Sequence, residues 1–227
     1  MKKVPHNESK RWRSGPTWNT VFVPNASTIT ELRQAAASCK ACDLWKRATQ
    51  TVFGEGAPNA SIMFVGEQPG DQEDRTGHPF VGPAGKLLNE ALAEAGIARS
   101  DVYVTNVVKH FSWTASERGK RRIHKKPRYS EIQACRPWLE AELRVLRPQI
   151  LVCLGATAAQ SLLGREFSVN RQRGQLVDSS LAPYVTATVH PSSILRAPDD
   201  KSRRLQMRAF VSDLKKVRQL AEKRRAA

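Results

Sequence analysis

Residues 61–74, SIMFVGEQPGDQED, constrain the fold more than any other stretch of the chain. Ile62, Met63, Phe64 and Val65 form an unbroken apolar run that stops at Gly66 and turns polar through Glu67, Gln68, Pro69, Gly70 and Asp71. Such a run, closed by glycine and proline, predicts a buried strand that empties into a tight loop. In an open α/β sheet, ligands bind beyond the carboxyl ends of the strands, so these glycines and carboxylates stand where a site is expected.

The remaining segments fit around that strand. Thr28 and Glu31 match a capping box that opens a helix delivering Cys39 and Cys42 at its end. After the central loop an amphipathic helix runs to Gly96, and residues 101–108 read as a second strand with Asn106 near its end. Residues 111–130 have neither helical nor strand period and are dense in lysine and arginine, which predicts a long unstructured or functional insertion. Ser130 and Gln133 match a capping box for a helix that carries Cys135 and stops at Pro148. Residues 149–154 read as a third strand, 155–164 as a short helix and 169–178 as a hairpin-like connection. Residues 184–189 read as the last strand, ending in His190-Pro191-Ser192-Ser193, and a basic helix begins near Lys201. This order predicts a three-layer α/β/α domain over 26–227 with a central, mostly parallel four-stranded sheet, after a basic, loosely ordered arm over 1–25. GEQPG, Asn106 and HPSS would then share one rim of the sheet.

Charge narrows the partners. A net +16 is concentrated at 10–13, 120–128 and 203–225, which favours a polyanion, most simply nucleic acid. No run approaches the ~18 apolar residues of a membrane span and the first residues lack the apolar centre of a signal peptide, so the expectation is a cytoplasmic protein. Four cysteines, Cys39, Cys42, Cys135 and Cys153, favour a metal over disulfides in a reduced compartment. Converged, they suit zinc or a [4Fe-4S] cluster, and spacing does not choose between these; Cys153, inside ILVCLG, also reads as a buried core thiol. Phe80, between Pro79 and Gly82 in a loop, could stack on a flat ligand, and the Asn106 amide suits the polar edge of a pyrimidine.

Together these residues resemble the uracil-DNA glycosylase superfamily over about 39–196. GEQPGDQED, HPSS and the four cysteines are similar to its iron-sulfur, family 4 members; KRRIH at 120–124, with GEQPG, resembles the UdgX subgroup. The resemblance implies a [4Fe-4S] cluster on Cys39, Cys42, Cys135 and Cys153, and a monomer that flips uracil out of single- or double-stranded DNA. It implies that Phe80 stacks on uracil, Asn106 binds its polar edge, the loop from Gly66 through Gln68 to Gly70 contacts the base, and His190 faces the oxygen that gains charge, with Ser192 beside the substrate. Asp71 and Asp74 would shape the pocket loop or touch sugar or water, Arg122 would fix the basic loop or hold phosphate, and Leu195 and Arg196 would enter the vacated stack. Where hydrolysing members often place an aspartate, this chain has Glu67 and Gln68, and an amide is no general base. By the UdgX resemblance His124 captures C1′ of the sugar, with Glu67 hydrogen-bonded to its other nitrogen. The alternatives are a glycosylase that turns over to free abasic DNA and a non-catalytic iron-sulfur DNA-binding protein.

Overall fold

The computed structural model describes residues 23–117 and 121–225. Residues 1–22, most of the predicted arm, and Lys120 of KRRIH lie outside the described residues. In chain order the helices are α1 (Ile29–Ala36), α2 (Asp71–Thr76), α3 (Pro83–Ala95), α4 (Tyr129–Leu146), α5 (Ala156–Leu163), α6 (Val169–Gln172), α7 (Pro191–Leu195) and α8 (Asp200–Arg225). The strands are β1 (Glu55–Gly56), β2 (Ile62–Gly66), β3 (Val102–Asn106), β4 (Trp113–Ala115), β5 (Arg122–His124), β6 (Ile150–Leu154), β7 (Leu176–Val177) and β8 (Tyr184–Thr188).

The main sheet has the order β1-β3-β2-β6-β8-β7. Its four central strands are parallel, as the sequence predicts, but β1 and β7 add short antiparallel edges, so the sheet has six strands rather than four. Each added strand is two residues long, too short to show any period in sequence.

The central strand β2 is buried at every position because both faces of the sheet are covered. Met63 and Val65 pack on one side with Leu32, Trp138 and Leu139, beneath α1, α4 and α5. Ile62 and Phe64 face the other way, among Leu88, Leu92, Phe210 and Leu214 of α3 and α8. Two apolar faces leave no polar alternation to read, which is why the strand appears in sequence as a plain apolar run.

Two sequence expectations change. Helix α4 starts at Tyr129, ahead of the Ser130 capping box: the Glu131 carboxylate reaches back to accept from the Arg128 N–H at 2.7 Å and from Arg128 Nε at 2.9 Å. The basic stretch 111–130 is not an irregular loop throughout, because β4 and β5 pair there as a separate antiparallel ribbon. Its register sets Trp113 opposite His124 and Ala115 opposite Arg122. Strands of three residues are again too short to carry a visible alternation. Among the described residues, no helix is long and apolar enough to cross a membrane.

Candidate active site

The carboxyl ends of the parallel strands meet at one rim, where Gly66 at the end of β2 is in register with Asn106 at the end of β3. A cavity of about 970 Å³ opens there, lined among others by Gln68, Phe80, Asn106, His124, His190 and Arg196. Topology thus brings together residues separated by more than 100 positions in sequence.

A flat slot forms above Gly66. A Cβ on Gly66 would lie 2.4 Å from Asn106 Oδ1, 2.8 Å from Phe80 Cζ and 3.5 Å from His190 Nε2, so the absent side chain leaves the space on which three functional groups converge. Among the described residues, Asn106 Oδ1 is the buried side-chain polar atom that has no hydrogen-bond partner. A buried acceptor left unpaired costs about 1–3 kcal/mol, and a ligand N–H would relieve it. Phe80 adopts φ 57°, a left-handed conformation costing about 1–3 kcal/mol for a residue with a bulky side chain. The surrounding packing holds it there: α3 lies so close beneath that a Cβ on Gly85 would come within 1.7 Å of the Phe80 carbonyl oxygen. The Phe80 ring faces the His190 ring at 6.2 Å between centroids, tilted by 31°.

His190 caps α7, and the capping bond fixes its tautomer. The Ser192 backbone N–H donates to His190 Nδ1 at 3.2 Å, so the ring proton resides on Nε2, the nitrogen aimed over Gly66. Burial lowers its pKa to about 4, helped by the positive charge of Arg196 and by His124. At neutral pH the slot therefore contains an uncharged N–H donor. Ser192 lines the same cavity, and its hydroxyl lies 2.8 Å from His190 Nδ1.

The ribbon brings His124 to the opposite wall. Gln68 is buried and clamps it: Gln68 Oε1 accepts from the Ser112 N–H at 2.9 Å, which turns the amide nitrogen toward Ser112 O at 3.2 Å, Lys125 O at 3.0 Å and His124 Nε2 at 2.8 Å. An amide nitrogen only donates, so in the tautomer that accepts this contact His124 Nε2 carries its lone pair and the ring proton sits on Nδ1. Glu67 Oε1 lies 3.5 Å from the same nitrogen, while Thr157 donates its hydroxyl to Glu67 Oε2. The sequence expectation placed Glu67 on the nitrogen remote from the reaction; instead Glu67 and Gln68 both face Nε2. Burial lowers the pKa of His124, as does Arg196, against the opposing pull of Glu67.

Arg122, Asp71 and Asp74 meet one another. Arg122 donates to Asp71 Oδ1 and to Asp74 Oδ2, each at 2.5 Å, and does not line the cavity. Asp74 is fully buried and also accepts from the Thr49 N–H at 2.9 Å and the Thr49 hydroxyl at 2.7 Å. Arg122 and Asp74 thus moor the ribbon, the loop-fixing role among those expected of them, and of the trio Asp71 alone reaches the cavity wall. Leu195 and Arg196 do stand at the cavity edge.

The thiols divide. Cys39, Cys42 and Cys135 feel one another's charge, and two of them accept hydrogen bonds to sulfur: Cys135 from the Lys109 N–H and Cys39 from the Trp138 indole N–H, both at 3.2 Å. N–H donors of this kind suit thiolates and cluster sulfurs. Cys153 lies inside β6, in register with Val65 and Ala187, and burial pushes its thiol, like that of Cys135, up to about 12. Among the described residues, no three histidine, cysteine or acidic side chains are gathered tightly enough to hold a metal ion as they stand. The N–H groups aimed at Cys39 and Cys135 suit sulfur that carries negative charge, and Cys153 has the apolar neighbours of a core residue.

Sequence reasoning missed several contributors. Glu73 bridges the two pocket loops, accepting from the Gly70 N–H at 3.1 Å and the Gly82 N–H at 2.8 Å. Its position three residues into a helix that follows a glycine was the available signal. Lys109 is buried and donates to Glu142 at 2.5 Å, to Thr105 Oγ1 at 2.6 Å and to the Asn106 carbonyl at 2.7 Å, fixing the end of β3. Nothing in its sequence surroundings separates it from a surface lysine.

Residues 53–215 match the profile of the uracil DNA glycosylase superfamily. The type-4 uracil-DNA glycosylase of Thermotoga maritima is 38% identical over 186 residues, 82% of this chain and 90% of its own. Those of Sulfurisphaera tokodaii and Archaeoglobus fulgidus are each 36% identical, covering 86% and 87% of this chain and 85% and 95% of their own.

Proposed function

The chain belongs to the uracil-DNA glycosylase superfamily, and we propose that it excises uracil from DNA and then captures the abasic sugar covalently on His124. The observation that carries the second step is the position of His124 Nε2, at the wall of the base cavity, 2.8 Å from the Gln68 amide nitrogen and 3.5 Å from the Glu67 carboxylate.

In this reading a flipped uracil lies in the slot above Gly66, stacked on Phe80. Its N3–H donates to the orphaned Asn106 Oδ1, which rejects cytosine because cytosine has no hydrogen at that position. His190 donates its Nε2–H to a uracil carbonyl oxygen as the C1′–N1 bond breaks and the electron pair departs onto the base. A preplaced donor at a developing oxyanion contributes about 3 kcal/mol, and a neutral imidazole does so without having to lose a proton. The sugar is left as an oxocarbenium ion.

His124 Nε2 then forms the new bond to C1′ while its proton stays on Nδ1, so the adduct is an imidazolium, and Glu67 at 3.5 Å offsets that charge. Gln68 gives up one of three acceptors and keeps the carbonyls of Ser112 and Lys125, which makes release of the lone pair cheap. A nucleophile held in place outcompetes water by proximity alone. Cys39, Cys42 and Cys135 would hold an iron-sulfur cluster of the [4Fe-4S] class, which when bound would supply a covalent cross-link between the end of α1 and α4. DNA of either strandedness is the substrate, and the protein acts as a monomer.

Uracil-containing oligonucleotide incubated with the protein and run on a denaturing gel tests this reading. A heat- and SDS-resistant shifted band is expected from the native protein, and His124→Ala should lose the band yet still release uracil. A band that survives in His124→Ala refutes the assignment. Free abasic DNA without any band, from the native protein, establishes the turning-over glycosylase instead, and salt-dependent binding without uracil release establishes a non-catalytic binder.

A further inference from the structure

We propose that Trp113 is the positioning residue that decides whether His124 or water reaches the sugar, an inference that rests on the covalent reading above. The ribbon lies outside the main sheet, and its placement is set by side chains on one face. Residues directly opposite in an antiparallel pair share a face, as do residues two apart on one strand, so Trp113, Arg122 and His124 project the same way, and Phe111, just ahead of β4, meets the His124 ring. Ile123, on the other face, is about half exposed.

Three moorings hold that inner face down. Gln68 ties Ser112 and Lys125, at the base of the ribbon, to the loop after β2. Arg122 is anchored by Asp71 and Asp74. Trp113 makes the third: its indole N–H donates to the Arg47 carbonyl at 2.9 Å, and the Arg47 guanidinium lies 4.5 Å from its ring centroid. The Arg122 guanidinium covers the same indole at 5.5 Å and Phe111 at 5.3 Å, and the Phe111 ring stands 6.1 Å from that of His124. A continuous stack therefore runs from Arg47 through Trp113, Arg122 and Phe111 to the nucleophile.

Trp113 belongs to neither apolar core and does not line the cavity. Its removal leaves Gly66, Phe80, Asn106 and His190 as they are, so the steps that break the C1′–N1 bond are untouched. What changes is the restraint on the residue directly opposite it, His124. A displacement of about 1 Å can cost a positioned reaction about 100-fold. Water then adds its oxygen to C1′ and its proton ends on uracil N1, giving free abasic DNA and uracil, whereas capture by His124 leaves uracil to take its proton from solvent.

The full chain, in single turnover on a labelled uracil-bearing single strand, gives two readouts at once: uracil released and the fraction of DNA in the SDS-stable band. Trp113→Ala should release uracil within about threefold of the native rate while the adduct fraction falls at least tenfold, the deficit appearing as alkali-labile DNA. Trp113→Phe, which keeps a stacking ring but loses the N–H, should fall between the two, and Arg47→Ala should shift the ratio in the same direction. Should Trp113→Ala fail to fold, the Trp113→Phe and Arg47→Ala ratios decide. An adduct fraction unchanged across the series, or one that declines in strict parallel with uracil release, overturns the proposal. A native protein that yields only free abasic DNA brings down the covalent reading and this inference with it, a result distinct from a native band that Trp113 does not influence.

Discussion

Lowering the pH should separate base removal from sugar capture, because capture needs an imidazole lone pair that protonation removes, whereas excision needs an imidazole N–H that protonation leaves in place. Excision needs the His190 Nε2–H. With a pKa of about 4, His190 is charged in about 0.1% of molecules at pH 7 and about 10% at pH 5, so its contribution to uracil release barely changes over that span. Capture needs the His124 lone pair. Its pKa is lowered from 6.5 by burial and by Arg196, so the nucleophile is almost wholly neutral at pH 7.5 and is lost as pH falls through a midpoint below 6.5. Each pH unit beneath that midpoint removes about 90% of the remaining neutral imidazole, and adduct formation should fall about tenfold with it. Protonation also turns Nε2 from acceptor to donor, which breaks its bond from the Gln68 amide and favours Glu67 instead. Single-turnover measurements from pH 8 downward, scoring uracil and the SDS-stable band in the same samples, would show the band titrating away while uracil release persists. Superimposable profiles for the two products would refute the separate roles of the two histidines.

Other outcomes test the architecture directly. Gly66→Ala sets a methyl against Asn106 Oδ1, Phe80 and His190, so it should abolish uracil release while shifting the thermal midpoint by only a few degrees; normal activity would mean that the base does not occupy this slot. Lys109→Met strands the fully buried Glu142 carboxylate and should cost about 3–5 kcal/mol in urea unfolding. The half-exposed Arg218–Glu222 pair provides the contrast, since Arg218→Met should cost less than about 1 kcal/mol, and equal losses in the two variants would contradict the burial argument.

What the sequence determined by itself was the part of the molecule encoded in consecutive residues. The apolar run 62–65 closing on Gly66 announced a buried strand with a site at its end, and the strand-final Asn106 and His190 fell on the same rim because parallel strands end together. The resemblance of GEQPG and KRRIH to the UdgX subgroup likewise implied that Glu67 and His124 meet across 57 positions, and the structure sets them 3.5 Å apart. The tertiary structure alone decided the rest. That Gln68 clamps the imidazole, that Arg122 is held by Asp71 and Asp74, that Cys153 sits inside the sheet, and that Lys109 is buried all depend on which side chains meet after the chain has folded. A charged or amide side chain has the same local appearance whether it ends in solvent or in a closed network. Only the packing of distant segments fixes its partners, and hence whether it moors the ribbon or faces the substrate.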